Sequence, residues 1–305
     1  PALCGEVIYH SLDVDEEIFQ QVAASAQLMD LNELIENLPT RDLDAYKNQF
    51  GHSMVIGGDH SFGGAAMMAA ESALRTGSGL VSMATRPAHV AGALARQPEI
   101  MVSGIVSGQE LEPLLAKPSV LIVGPGLGRS PWSEQLLQKA VATGLPMVVD
   151  ADALNIIAEG RVVSQPNGSG WIMTPHPAEA ARLLNISVDQ VQADRFAAVR
   201  QLQEKYNAVV LLKGAGTLIA APGDEVIAVC PYGNPGMATG GMGDVLSGII
   251  GALLAQGLKP KLAAQLGCCL HSAAADMAVE EQGMRGLTAT DLLAYLRKLL
   301  NGELS

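Results

Sequence analysis

The chain has little positive charge. Nineteen Lys and Arg stand against 31 Asp and Glu, for a net charge of −12. Polyanions are held by clustered cations that displace counterions, and no such cluster occurs here. That excludes a nucleic-acid surface and argues against an anionic membrane face. A small anion held locally by backbone N–H groups and one or two cations stays open. Charged residues are only 16% of the chain and hydrophobic ones 49%, which excludes disorder. Aromatics are 4%. Cysteine is scarce: Cys4, Cys230, Cys268 and Cys269 show no CxxC spacing, so zinc is not indicated. Buried free thiols in a reduced compartment are expected, and the cytoplasm fits. The longest strongly apolar, uncharged run is Val245–Leu258, 14 residues, short of the ~20 that span a bilayer. There is no GxxxxGK[ST] and no GxGxxG, so the chain carries no P-loop and lacks the dinucleotide fingerprint. The opening residues have no signal-peptide pattern, and Pro1 in place of Met suits a fragment or a processed form.

Glycine is abundant instead, 33 of 305 residues. With much Ala, Val and Leu, this suggests an α/β protein with tight strand-to-helix turns. Residues 1–40 stand apart: they are acidic, without Lys or Arg. Asp15 to Leu38 reads as an acidic helix that ends before Pro39. From about residue 50, short aliphatic runs end in Gly, Asp or Lys: Ser53–Ile56, Val120–Val123, Met147–Val149 and Val209–Leu212. Such runs are apolar on both faces, as in buried parallel strands. Helical periodicity follows or intervenes over Ala65–Thr76, Trp132–Ala142, Pro177–Leu184, Val191–Tyr206, Val245–Gln256 and Lys261–Glu281. Alternating strands and helices predict a mostly parallel sheet with helices on both faces. Ligands then bind beyond the carboxyl ends of the strands, where the Gly-rich and Asp-bearing segments fall.

The strongest local signal is Gly240-Gly241-Met242-Gly243-Asp244, followed by a helical stripe at 245, 246, 249, 250, 253 and 254. Glycines at a helix N-terminus let backbone N–H groups close on an anion. Asp244 is then either a base for a hydroxyl near a phosphate or a plain N-cap.

These residues, with Val245-Leu246-Ser247-Gly248, resemble the signature of the ADP/ATP-dependent NAD(P)H-hydrate dehydratases, of the ribokinase-like superfamily. Further segments match in order: Val123–Gly128, Asp150–Asn155, Thr174–Glu179, Lys213–Thr217 and Gly233–Ala238. The resemblance covers about residues 41 to 298. One loop departs: where the family has His-Lys-Gly, this chain has Tyr46-Lys47-Asn48.

The resemblance implies a ribokinase-like fold and repair of damaged nicotinamide cofactor. The S epimer of NADHX or NADPHX would return to NADH or NADPH, with ADP yielding AMP and phosphate. ADP is the expected nucleotide, ATP the alternative, and Mg²⁺ would accompany it. Asp244 would be catalytic and touch substrate together with Ala65 (or Ala66), Gly126 and His176. Lys213, Gly214, Ala215, Gly216 and Thr217 would bind nucleotide, with Gly241, Met242 and Gly243. Glu179 would meet the metal through water; a glutamate simply favoured by the helix dipole is the alternative. Asp150 and Asp152 either orient water, metal or substrate or bind nearby N–H groups, while Asn155 reads as structural. A homo-oligomer, such as a tetramer, is implied too. Residues 1–40 would then be the tail of a preceding epimerase domain and 41–305 the dehydratase. The alternative activity is a ribokinase-like kinase for a vitamin precursor or sugar; another class is a silent nucleotide-binding module.

Overall fold

The computed structural model describes residue 8 and residues 10–22, 24–163 and 167–302. Ten strands form one sheet: β1 (Ala26–Leu28), β2 (His52–Ile56), β3 (Leu80–Thr85), β4 (Met101–Gly104), β5 (Val120–Val123), β6 (Met147–Val149), β7 (Trp171–Met173), β8 (Val209–Leu212), β9 (Leu218–Ala220) and β10 (Ile227–Val229). Their spatial order is β1-β10-β9-β8-β7-β6-β5-β2-β3-β4. Among the described pairings, β9 alone runs against its neighbours, and the rest are parallel. The four aliphatic runs are all strands, three with the expected bounds and the fourth starting one residue earlier, at His52.

Period-2 alternation splits each central strand between two cores. Val55, Ile122, Val148, Ile172 and Leu211 face helices Gly63–Thr76, Met242–Ala255, Pro260–Gln282 and Leu292–Leu300. Met54, Ile56, Leu121, Val123, Met147, Val149 and Met173 face helices Pro131–Ala142, Ala151–Glu159, Pro177–Leu184 and Arg195–Tyr206. Burial on both faces explains why these strands read as unbroken apolar runs. Helix Met242–Ala255 lies against helix Gly63–Thr76 through Gly248, where an added β-carbon would stand 2.1 Å from the Ala69 carbonyl oxygen. Helix Pro260–Gln282 is long and apolar enough to cross a membrane by composition, and 72% of its most apolar window is buried inside the fold.

Three expectations need correction. The acidic helix Asp15–Leu38 is instead helix Glu16–Gln21, strand β1 and helix Leu31–Ile35. Strand β1 pairs in parallel with β10, and Asp30 caps the next helix through the Asn32 N–H. Tertiary pairing with a strand some 200 residues away overrides the local helical pattern there. The helix expected over Val191–Tyr206 breaks at Asp194, whose carboxylate accepts from the Ala197 N–H and starts a new helix at Arg195. The helix expected from Val245 begins at Met242. Cys230, Cys268 and Cys269 are buried free thiols, as expected; Cys4 lies outside the described residues.

Candidate active site

Five of the Gly- or Asp-bearing segments open from the carboxyl ends of strands, and the Gly240–Asp244 turn comes later, between β10 and the helix that begins at Met242. Gly57 follows β2, Gly124 follows β5, Asp150 follows β6, Thr174 follows β7 and Lys213 follows β8. Parallel strands that end together bring these segments to one edge.

The loops after β2 and β5 are joined by backbone bonds. Gly58 N–H donates to the Pro125 carbonyl at 3.0 Å and Asp59 N–H to the Gly126 carbonyl at 2.7 Å. Gly126 has φ +58°, and a β-carbon there would meet the Phe62 carbonyl oxygen at 2.5 Å and the Ala65 methyl at 3.0 Å. Only glycine combines that φ with that close approach. The structure thus sets Ala65 beside Gly126, two residues far apart in sequence.

The Gly-rich turn enters its helix through Gly241, whose φ of +94° is left-handed. Met242, Gly243 and Asp244 then form the first turn, and the Met242 side chain is buried in the core. Asp244 is therefore the third helical residue and not the N-cap, which disposes of the capping alternative. Its carboxyl makes no hydrogen bond among the described residues. Burial raises its pKa to about 7, with the Asp150 charge adding and Lys213 opposing.

Lys213 reaches that turn from the end of β8. Its Nζ donates to Asp150 Oδ1 at 2.8 Å and lies 4.0 Å from Glu179 Oε2. A β-carbon on Gly243 would stand 3.3 Å from the same Nζ. Burial opposes the lysine's charge, but Asp150 and Glu179 hold its pKa above the ordinary value. Asp150 is 1% exposed and also accepts the Ser247 hydroxyl on Oδ2 at 2.8 Å. The Lys213–Thr217 turn closes on itself: Gly214 N–H donates to Thr217 Oγ1, whose hydroxyl donates to the Gly214 carbonyl. Arg195 holds it from outside, donating to the Ala215 and Leu212 carbonyls.

His176 and Glu179 form a capping box. His176 Nδ1 accepts from the Ala178 and Glu179 N–H groups at 3.0 and 3.3 Å, and Glu179 Oε2 accepts the His176 N–H at 2.8 Å. Burial, Lys213 and Arg182 lower the His176 pKa. Burial raises that of Glu179 to about 7, partly offset by Lys213. Asp152 accepts from the Gly128 N–H and the Asn155 side chain, so it braces the loop after β5, and Asn155 in turn accepts from Arg182.

The described residues hold no cluster of three or more His, Cys, Asp or Glu suited to a metal ion. Mg²⁺ keeps several waters and takes substrate phosphates as ligands. A magnesium carried on a nucleotide would need no such cluster, and Glu179, whose Oε2 accepts the His176 N–H, is the buried carboxylate near Lys213. Ser247 lies within the Gly240–Gly248 signature but carries no role there, and Arg195 lies outside the motifs. Ser247 stands three residues after Asp244, on the same helix face, and that spacing could have shown it. Arg195 carries no local signal.

The sequence pattern of the family described as NAD(P)H-hydrate dehydratase matches residues 53–298. A bifunctional NAD(P)H-hydrate repair enzyme of Coxiella burnetii is 51% identical over 99% of this chain and 61% of its own length. An ADP-dependent (S)-NAD(P)H-hydrate dehydratase of Neisseria meningitidis is 42% identical over 85% of this chain and 88% of its own. Among solved structures, the ADP/ATP-dependent NAD(P)H-hydrate dehydratase of Bacillus subtilis, co-crystallised with ATP and Mg²⁺, has a TM-score of 0.81 and 25% identity, and the match covers 92% of this chain and 99% of that one. The chain spans about three fifths of the bifunctional relative it matches.

Proposed function

The chain belongs to the NAD(P)H-hydrate dehydratase family, and we propose that it returns the S epimer of hydrated NADH or NADPH to the dihydropyridine at the expense of ADP. The observation that carries this reading is the Asp244 carboxyl, free of protein partners among the described residues and one residue from the Gly243 turn that Lys213 faces.

Asp244 takes the proton of the ring hydroxyl as that oxygen attacks the terminal phosphorus of ADP. The bond to AMP breaks. The N–H groups of Gly241, Met242 and Gly243, at a helix N-terminus, stabilise the charge on the transferring group. Lys213 adds a cation. The new phosphate ester then leaves with its carbon–oxygen bond, the adjacent ring carbon loses a proton, and the double bond re-forms. Magnesium, when bound, neutralises phosphate charge, with Glu179 holding its waters. The loop from Lys213 to Thr217 holds the nucleotide, while Ala65, Gly126 and His176 line the place of the nicotinamide.

The cytoplasm, a homo-oligomer and partnership with an epimerase unit belong to the same reading. The bifunctional relatives, longer than this chain, support the last of these.

The test incubates the protein with NADHX, ADP and Mg²⁺. Return of the dihydronicotinamide absorbance, with stoichiometric AMP and phosphate, is expected. Phosphorylation of another alcohol without that return would favour the kinase instead.

A further inference from the structure

Asp150 follows β6 and is buried, yet the reaction above does not use it. A carboxylate is costly to bury unless it is paired and hydrogen-bonded. Its two oxygens are divided: Oδ1 accepts from the Lys213 ammonium at 2.8 Å and Oδ2 from the Ser247 hydroxyl at 2.8 Å. Lys213 belongs to the segment after β8, and Ser247 to the second turn of the helix that begins with Met242. Gly243 lies over this junction, since a β-carbon there would be 3.3 Å from Lys213 Nζ and 3.5 Å from Asp150 Oδ2. Asp150 therefore ties together two segments that no backbone hydrogen bond joins directly among those described.

We infer that Asp150 is a positioning residue, which fixes the Lys213 ammonium against the first turn of helix Met242–Ala255 and uses Ser247 to set the register of that turn. The inference rests on the dehydratase reading, in which Lys213 meets the nucleotide and Asp244 the hydroxyl. The geometry has a direct consequence. Asp244 and Ser247 are three residues apart and lie on one helix face, so a Ser247 held at Asp150 sets the rotation of the helix and with it the direction of Asp244. Lys213 has two further donors besides the one spent on Asp150. A nucleotide phosphate can therefore engage it without breaking the clamp. A misplacement of about 1 Å at a reacting group can cost on the order of 10²-fold in rate.

The test uses the full chain with Asp150→Asn, Ser247→Ala and the double variant. Asn keeps the shape and one acceptor but loses the charge and the shared grip. We expect Asp150→Asn to lower kcat for NADHX roughly 30–100-fold, with the KM for ADP changed by less than about threefold. Ser247→Ala should lower kcat about 3–10-fold, and the double variant should be no worse than Asp150→Asn, because Ser247 acts through Asp150. Losses that multiply in the double variant, or that appear in KM alone, overturn the inference. A second readout needs no turnover: modification of Lys213 by an amine reagent, followed by peptide mass. It should be several-fold faster in both single variants than in the native protein, and equal rates overturn the clamp. If the native protein fails to dehydrate NADHX, the functional reading falls, and the reactivity of Lys213 still decides the clamp.

Discussion

His176 and Glu179 cap each other: the imidazole Nδ1 accepts the Glu179 N–H, and the Glu179 carboxylate accepts the His176 N–H. Because Nδ1 is an acceptor, the proton of the neutral ring is on Nε2, which lies 3.4 Å from Glu179 Oε1. Facing a substrate, His176 would thus act as a donor and not as a base. Asn also caps helices well. His176→Asn should keep its Tm within a few degrees, while the KM for NADHX rises. An unchanged KM removes His176 from the substrate site.

The Asp244 carboxyl, with a pKa raised from 3.8 to about 7, makes two signed predictions. Between those values the unfolded carboxyl loses its proton before the folded one does. The folded state then binds more protons, so the native protein loses stability as pH rises through that window. Asp244→Asn has no such loss. It should match the native protein below the window and exceed it above pH 7, by a few kcal/mol at most, since each pH step of one between the two values costs about 1.4 kcal/mol. Denaturant melts at several pH values measure this. If Asp244 is the base, turnover needs the carboxylate, and native kcat/KM should climb with pH through about 7. The Asn variant should lose ~10²–10⁴ in rate. Near-normal turnover in Asp244→Asn would refute its role as base.

Gly243 is tested by Ala. Alanine is favoured over glycine inside a helix by about 1 kcal/mol, and the added methyl would have 3.3 Å to Lys213 Nζ. That contact is tight, so it offsets the helical gain, and the variant should keep its Tm within a few degrees. The methyl stands where a phosphate would approach the turn and Lys213, so calorimetry should show ADP binding weakened at least tenfold. Unchanged affinity would place the phosphate elsewhere.

Truncations test the acidic segment. Removing residues 1–24 leaves every strand in place and should preserve both Tm and dehydration. Removing residues 1–36 deletes β1, exposes the edge of β10 and takes Met29 and Leu31 out of the core. That protein should melt many degrees lower, since deleting large core side chains costs ~2–5 kcal/mol each. Equal melting of the two truncations would show that β1 adds nothing to the sheet.

The parallel sheet was legible in the chain alone, because strands buried on both faces must be apolar throughout, as Val120–Val123 and Val209–Leu212 are. So was the edge on which the Gly-rich segments gather, since Gly126, Gly241 and their neighbours lie in the loops beyond strands. Strands β1 and β10, each of three residues, were not legible. β1 lies in a stretch of helical pattern, and only tertiary pairing, of β1 with β10 and of β10 with β9, makes these segments strands. Nor was Asp150, which stood open between binding a ligand and binding backbone. Its partners Lys213 and Ser247 lie 63 and 97 residues away in the chain. Only the folding of β6, β8 and helix Met242–Ala255 into one edge put three such side chains within hydrogen-bond distance. The same holds for Asp244: the Gly-Asp pattern was plain, but whether it caps the helix or stands free inside the first turn depended on the left-handed φ of Gly241. A string of residues does not reveal that angle, because glycine permits either hand at little cost.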